Sequence, residues 1–223
     1  YCPRGTPVAI PCKAGTYNTS DSLSSDMGCD LCPLGFACSR GTYEPEMCAA
    51  GRFGATLGQT NWRECSGPAI AGHFCLRGST SNTSGVCPAG RYNSNMGSTS
   101  LLDCLMSPKG THTPGTGATA AIPCPPGFHQ PSEGETRCGP CAAGSQQPEV
   151  GAVVCRPCDL GQDSVAGSGM CTMCANEYYR PHSHLPATAC TLCGVIEGVT
   201  CNSNATISSL NLTSGYWRHS MLV

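Results

Sequence analysis

The chain has 223 residues, of which 12 per cent are charged, and its formal net charge at pH 7 is −2. Leu, Ile, Val and Phe supply 32 residues, about 14 per cent, below the roughly 20 per cent expected of a chain with an ordinary apolar core. Twenty cysteines accompany 28 glycines and 18 prolines. This composition argues against a large hydrophobic core, an ordinary α/β enzyme fold, a basic nucleic-acid surface and charge-driven disorder.

Residues 1–123 contain long repeats of 36 to 39 residues. Their starts, CKAGTY, CAAGRF and CPAGRY, each place a glycine three residues after a cysteine and an aromatic ring two residues later. Three cysteine pairs share a separation of 17 positions: Cys12 and Cys29, Cys48 and Cys65, and Cys87 and Cys104. Such a period predicts an array of similar small units.

Residues 124–201 repeat at about half that period, with Cys-x-x-Cys at each junction. The simplest pairing is sequential and predicts one disulfide per loop: Cys124–Cys138, Cys141–Cys155, Cys158–Cys171, Cys174–Cys190 and Cys193–Cys201. In a chain-entropy account, closing a loop of about 15 residues contributes roughly 3 kcal/mol. We expect each short unit to be largely self-supporting, with no metal and no cofactor.

Glycine stands three residues after ten of the twenty cysteines, which predicts tight turns with positive φ or close backbone approach. No segment has a helical period over 11 residues. The predicted fold class is therefore small disulfide-rich repeats, forming an elongated rod of short β-hairpins and loops with little or no helix. Residues 202–223 change character, and we expect them to begin a following β element or domain.

Zinc is the chemical rival to disulfides, because Cys138-x-x-Cys141 followed by Cys155-x-x-Cys158 nearly fits a four-thiolate site. The same junction recurs along the chain, and zinc at every junction would require reducing conditions. Disulfides are therefore favoured, because a chain with this many cysteines is typical of an oxidising compartment.

Four sequons for N-glycosylation occur, at Asn18, Asn82, Asn204 and Asn211. The inferred oxidising compartment raises the expectation that some of them carry sugar. Enzyme motifs are scarce, and the carboxylate pairs Glu44/Glu46 and Glu133/Glu135 lack any pattern typical of catalysis. We therefore expect no catalytic residues and no enzyme activity. No run of about 18 apolar residues predicts a membrane span in this segment.

The motif CPAGRY, a 16-residue gap, Cys and a following aromatic-Cys-x-x-Gly-Ser/Thr resembles the ephrin-receptor-like cysteine-rich repeat, a relative of tumour-necrosis-factor-receptor modules. The resemblance covers about residues 1–201. It implies stalks, scaffolds or binding surfaces, and it extends to algal and protist surface proteins and glycoproteins of extracellular fibres such as flagellar hairs.

The resemblance also implies a nested pairing for residues 1–104: Cys2–Cys29, Cys32–Cys48, Cys38–Cys65 and Cys75–Cys104. This pairing leaves Cys12 and Cys87 unmatched. Strictly sequential pairing uses all ten cysteines but needs a Cys29–Cys32 bridge. Both pairings stay open on the sequence.

The leading hypothesis is a secreted or cell-surface structural glycoprotein that spaces domains or assembles with copies of itself into a fibre. Its expected partners are copies of itself, neighbouring domains of the same chain and glycans, with no nucleic acid. The alternative is the ectodomain stalk of a receptor or adhesin that binds a protein ligand.

Overall fold

The computed structural model describes residues 2, 8–20, 25–181 and 190–216. These residues form short antiparallel β-hairpins and isolated 3₁₀ turns, with no α-helix among them. Nine disulfides cross-link them. The predicted class, small disulfide-rich repeats of β-hairpins, is confirmed, whereas the elongated rod stays a prediction.

The strands of the described residues have two residues each, apart from β19 with three. In chain order they are β1 Thr16–Tyr17, β2 Asp30–Leu31, β3 Phe36–Ala37, β4 Glu46–Met47, β5 Arg52–Phe53, β6 Gly67–Pro68, β7 His73–Phe74, β8 Gly85–Val86, β9 Arg91–Tyr92, β10 Leu105–Met106, β11 Thr111–His112, β12 Ile122–Pro123, β13 Phe128–His129, β14 Gly139–Pro140, β15 Ser145–Gln146, β16 Arg156–Pro157, β17 Gln162–Asp163, β18 Met173–Cys174, β19 Tyr178–Arg180, β20 Thr191–Leu192, β21 Val199–Thr200, β22 Ala205–Thr206 and β23 Asn211–Leu212. The 3₁₀ turns are Asp26–Gly28, Leu101–Asp103, Cys193–Val195 and Ile207–Ser209.

Consecutive strands pair into hairpins, which we number 1 to 10 from β1–β2 to β19–β20. Hairpin 11 joins β21 to β23, while β22 lies parallel to β19. Each long repeat of the sequence therefore contains two hairpins. The hairpins continue on both sides of residue 124, where the pattern of cysteines changes.

Each of hairpins 1 to 9 places two largely buried residues six positions apart, which we call the first and second core positions. The first core positions are Cys12, Cys32, Cys48, Ala69, Cys87, Ser107, Cys124, Cys141 and Cys158. The second core positions are Asn18, Cys38, Gly54, Cys75, Asn93, Thr113, Gln130, Gln147 and Ser164. Cys158 and Asn18 are half-buried, and the others are buried. Because many of these residues are polar, covalent and hydrogen bonds stabilise this core together with apolar burial.

A left-handed turn follows the first core position by three residues. At Gly15 the φ angle is +85°, and an added Cβ would lie 2.5 Å from the carbonyl oxygen of Gly58. Both the conformation and the close approach therefore require glycine. Hairpin 10 has Glu177 three residues after Cys174. Glu177 adopts a φ of +70° although it has a Cβ, which disfavours this conformation.

The chain divides into two units, the first comprising residues 1–107, 113–121 and 134–136 and the second the remainder. Within the first unit, the Gly35 N–H donates to the Gly54 carbonyl, and the Gly54 N–H donates to the Ser79 carbonyl, both at 2.9 Å. Within the second unit, the Gly127 N–H donates to Gln147 and the Gln147 N–H donates to Ser168. Inside each unit, backbone bonds thus join one hairpin to the next.

The described part of residues 202–223 contributes β22 and β23. Strand β22 pairs with β19, and a small cluster of Tyr179, Cys193, Cys201 and Ala205 is buried beside it, with Leu210 packed on the cluster. The segment after residue 216, including Trp217, lies outside the described residues.

Candidate functional site: the disulfides and the two core positions

The disulfides that close hairpins of the first unit lie in alternate hairpins. Three bonds, each spanning 17 residues, close hairpins 1, 3 and 5: Cys12–Cys29, Cys48–Cys65 and Cys87–Cys104. A fourth bond, Cys32–Cys38, joins the two core positions of hairpin 2. Cys2 and Cys75 are free thiols.

Both pairings left open for residues 1–104 are therefore wrong, apart from the Cys87–Cys104 bond that the sequential pairing contains. Cys29 and Cys32 flank strand β2, and three extended residues span about 10 Å, beyond the roughly 7 Å that a disulfide allows between Cα atoms. The nested pairing fails because Cys12 and Cys87, which it leaves unmatched, are each bonded to the cysteine that closes their own hairpin.

The disulfides of the second unit join neighbouring cysteines in sequential order. The bonded pairs are Cys124–Cys138, Cys141–Cys155, Cys158–Cys171, Cys174–Cys190 and Cys193–Cys201. The bonds in hairpins 7 to 9 span 13 or 14 residues. At every Cys-x-x-Cys junction of this unit, the first cysteine therefore ends one disulfide and the second cysteine begins the next.

Hairpin 4 has a cysteine at one of the two core positions, whereas hairpin 2 has a disulfide between both. Cys75 is fully buried at the second core position, and Ala69 occupies the first core position. Burial raises the pKa of the Cys75 thiol, whose Sγ donates to the carbonyl of Ser81 at 3.2 Å. A buried neutral thiol of this kind is a structural residue with low reactivity.

Hairpin 6 has no cysteine at either core position. The Ser107 hydroxyl lies 3.2 Å from the carbonyl oxygens of Gly90 and Glu135, to which it donates. The Thr113 hydroxyl is buried and has no hydrogen-bond partner among the described residues. A hydroxyl pair therefore occupies the place that a cystine fills in hairpin 2.

Amide side chains fill several second core positions and close the loop that follows. Gln130 donates from Nε2 to the carbonyl of Arg137 and accepts the N–H of Ser132. Asn18 makes the same type of bond, donating to the Gly28 carbonyl and accepting from the Ser20 N–H. The sequon asparagine Asn18 is therefore engaged inside its own hairpin.

The other sequons lie differently. Asn82 is half-buried in a turn, and its backbone carbonyl accepts the Ile70 N–H, whereas Asn204 and Asn211 are exposed. The sequence did not distinguish Asn18 from these three. The six-residue spacing from a repeat cysteine to Asn18 is the signal that could have done so, because the same spacing leads to Asn93.

Several other candidate groups of the sequence are exposed. The side chains of Glu44, Glu46, Glu133 and Glu135 face solvent. His112 and His129 belong to no predicted site, yet each contacts the cystine of the following hairpin. Among the described residues, no helix is both long and apolar enough to cross a bilayer.

No protein-family model matches the chain, and no curated protein is significantly similar to it.

Proposed function

We propose that this chain forms part of an extracellular structural glycoprotein that spaces domains or assembles with copies of itself into a fibre. The observation that carries the proposal is the repeated hairpin whose buried core is largely cystine, amide and hydroxyl. Nine disulfides among the described residues fit an oxidising compartment. A repeat in which each hairpin bonds its neighbour suits a spacer, because stability accumulates through nearest-neighbour interfaces.

Glycosylation provides the first test of this proposal. We expect intact mass spectrometry of the protein secreted from eukaryotic cells to show a mass loss on enzymatic removal of N-glycans. Asn82→Gln should remove one glycan. Asn18→Gln is the matched control in the same array, and we expect little change of glycan mass because the Asn18 amide is engaged in its hairpin. Secreted protein without sugar at any sequon would contradict the glycoprotein part of the proposal.

Self-assembly requires a separate measurement. We expect sedimentation velocity at increasing concentration to show reversible association of the oxidised protein into a series of species. Monomer at every concentration would remove the fibre and leave the spacer.

The receptor or adhesin stalk stays a second candidate, because apolar side chains recur on the surface at one hairpin position. The residue that ends the second strand is Leu31, Met47, Val86 or Met106 in four hairpins of the first unit, and these side chains are between 43 and 60 per cent exposed. A contiguous exposed apolar patch is typical of a protein-binding surface, and this candidate requires the four side chains to form one. Replacing Met47 and Met106 by Gln should abolish ligand binding under this candidate and leave a spacer unaffected.

A further inference from the structure

We propose that hairpins 6 to 8 contain two latent zinc sites, each formed by two cysteines and one histidine once the cystine between the cysteines is reduced. The first group is His112, Cys124 and Cys138, and the second is His129, Cys141 and Cys155. In each group the potential ligand atoms all lie within 4.8 Å of one another. Zinc binding at these groups does not depend on a spacer or fibre role.

The two groups have the same geometry. His112 Nδ1 lies 3.2 Å from the Sγ of Cys138, and His129 Nδ1 lies 3.2 Å from the Sγ of Cys155. Both contacts span 26 residues, because each histidine ends the first strand of one hairpin and faces the cystine of the next. The repeat therefore builds the arrangement twice, and the placement is a property of the hairpin.

Other hairpins provide an internal control. The residue that ends the first strand is Phe in β5 and β7, and Tyr in β9. A ring of similar size is thus accommodated at this place whether or not it carries a nitrogen ligand. Histidine is not required for packing there, and a His→Phe change should preserve the hairpin.

The donor set suits a borderline-soft cation. Two thiolates and a neutral imidazole are ligands that Zn²⁺ prefers, and water can take the fourth position. Cys124 and Cys141 are fully buried, while the histidine and the second cysteine of each group are half-buried. The half-buried side gives the ion access from solvent, and the buried cysteine anchors it.

A dithiol reduces the cystine of each group before zinc binds. The dithiol supplies two electrons and two protons, the S–S bond breaks, two thiols form, and the dithiol becomes a cyclic disulfide. Zn²⁺ then displaces the two thiol protons and accepts the lone pair of Nδ1. The cation binds the reduced form and not the cystine, so zinc should make these two cystines easier to reduce.

The test is a redox titration of the oxidised protein in buffers of increasing dithiol-to-disulfide ratio, with and without zinc chloride. Thiols are trapped by alkylation, and each cystine is followed by peptide mass spectrometry. At a free zinc concentration about ten times its Kd, the ratio needed to open Cys124–Cys138 and Cys141–Cys155 should fall about tenfold. Cys87–Cys104, which none of the described histidines contacts, should not shift.

Single variants identify the ligand. His112→Phe should abolish the zinc shift at Cys124–Cys138 and keep it at Cys141–Cys155, and His129→Phe should do the reverse. The disulfide map of each oxidised variant checks that the hairpins have folded. A shift that persists in the Phe variants, an equal shift at Cys87–Cys104, or cystines that open together regardless of zinc would overturn the proposal.

Discussion

Hairpins 1 to 6 and hairpins 7 to 9 share one pattern of strands and turns but differ in which hairpins a disulfide closes. In the first group a closing cystine alternates with a hairpin that lacks one, whereas in the second every hairpin has its own. The two core positions hold a cystine in hairpin 2, an alanine and a free cysteine in hairpin 4, and two hydroxyl side chains in hairpin 6. All of them keep the turn at the third residue after the first core position.

The difference teaches that backbone bonding and the left-handed turn define the repeat, while the cystine adds stability to an individual hairpin. A hairpin without a cross-link can persist because its neighbours supply backbone bonds on both sides. Alternate cross-linking should therefore make the first group less uniform in local stability than the second.

Removal of a cystine from the second group should have the largest effect. The double change Cys141→Ala and Cys155→Ala should lower the stability of hairpin 8 by about 3 kcal/mol, since it opens a loop of about 15 residues. Native-state hydrogen exchange at the Cys158 amide, which bonds to Gly144, should accelerate by about two orders of magnitude. Equal acceleration at the Gly90 amide would show that the cystine stabilises far more than its own hairpin.

Adding a cystine to the first group should have the opposite effect. Ala69→Cys places a thiol where Cys32 stands in hairpin 2, and we expect the introduced thiol to form a disulfide with Cys75. The small loop should contribute about 2 kcal/mol. Mass spectrometry should show the loss of two hydrogens and thermal unfolding should shift upward, with Ala69→Ser as the control. If both thiols stay free, the two core positions of hairpins 2 and 4 are not equivalent.

Relief of strain in hairpin 10 should give a smaller gain. Glu177 holds a φ of +70° where most equivalent turns have glycine, and this conformation costs an L-residue about 1 kcal/mol. Glu177→Gly should therefore stabilise the hairpin by about that amount in denaturant unfolding. Glu177→Ala keeps the Cβ and should give no gain, so a gain in both variants would assign the effect to the carboxylate.

The smallest expected effect concerns pH. The N–H groups of Thr99 and Ser100 and the Thr99 hydroxyl hold the pKa of the Asp103 carboxyl below its usual value. A lowered folded-state pKa means that this stabilisation is present above the ordinary aspartate pKa and is lost as the pH falls through the folded value. The difference in unfolding midpoint between wild type and Asp103→Asn should shrink as the pH is lowered through that range. If the difference in midpoint does not change with pH, the contacts of the introduced asparagine amide cause it, and not the charge of the Asp103 carboxylate.

The sequence predicts the short hairpins, the left-handed glycine turns and the sequential bonds of hairpins 7 to 9 because each is local and repeats at a fixed spacing. It does not reveal the role of Asn18 or the partner of Cys38. Both depend on the second core position, whose occupants are Cys, Asn, Gln, Ser, Thr and Gly. These residues share burial and the six-residue spacing but no residue type, so no sequence motif marks the position and its burial is seen in the folded hairpins. His112 and His129 escape notice for the same reason, since each contacts a cystine 26 residues along the chain.

Peptide mapping of the native protein without reduction tests the two core positions most directly. We expect linked peptides for Cys12–Cys29, Cys32–Cys38, Cys48–Cys65 and Cys87–Cys104, with Cys75 recovered as an unmodified thiol. Cys38 bonded to Cys65, or Cys75 bonded to Cys104, would contradict the account, because Cys65 and Cys104 are the partners of Cys48 and Cys87 in the bonds that close hairpins 3 and 5.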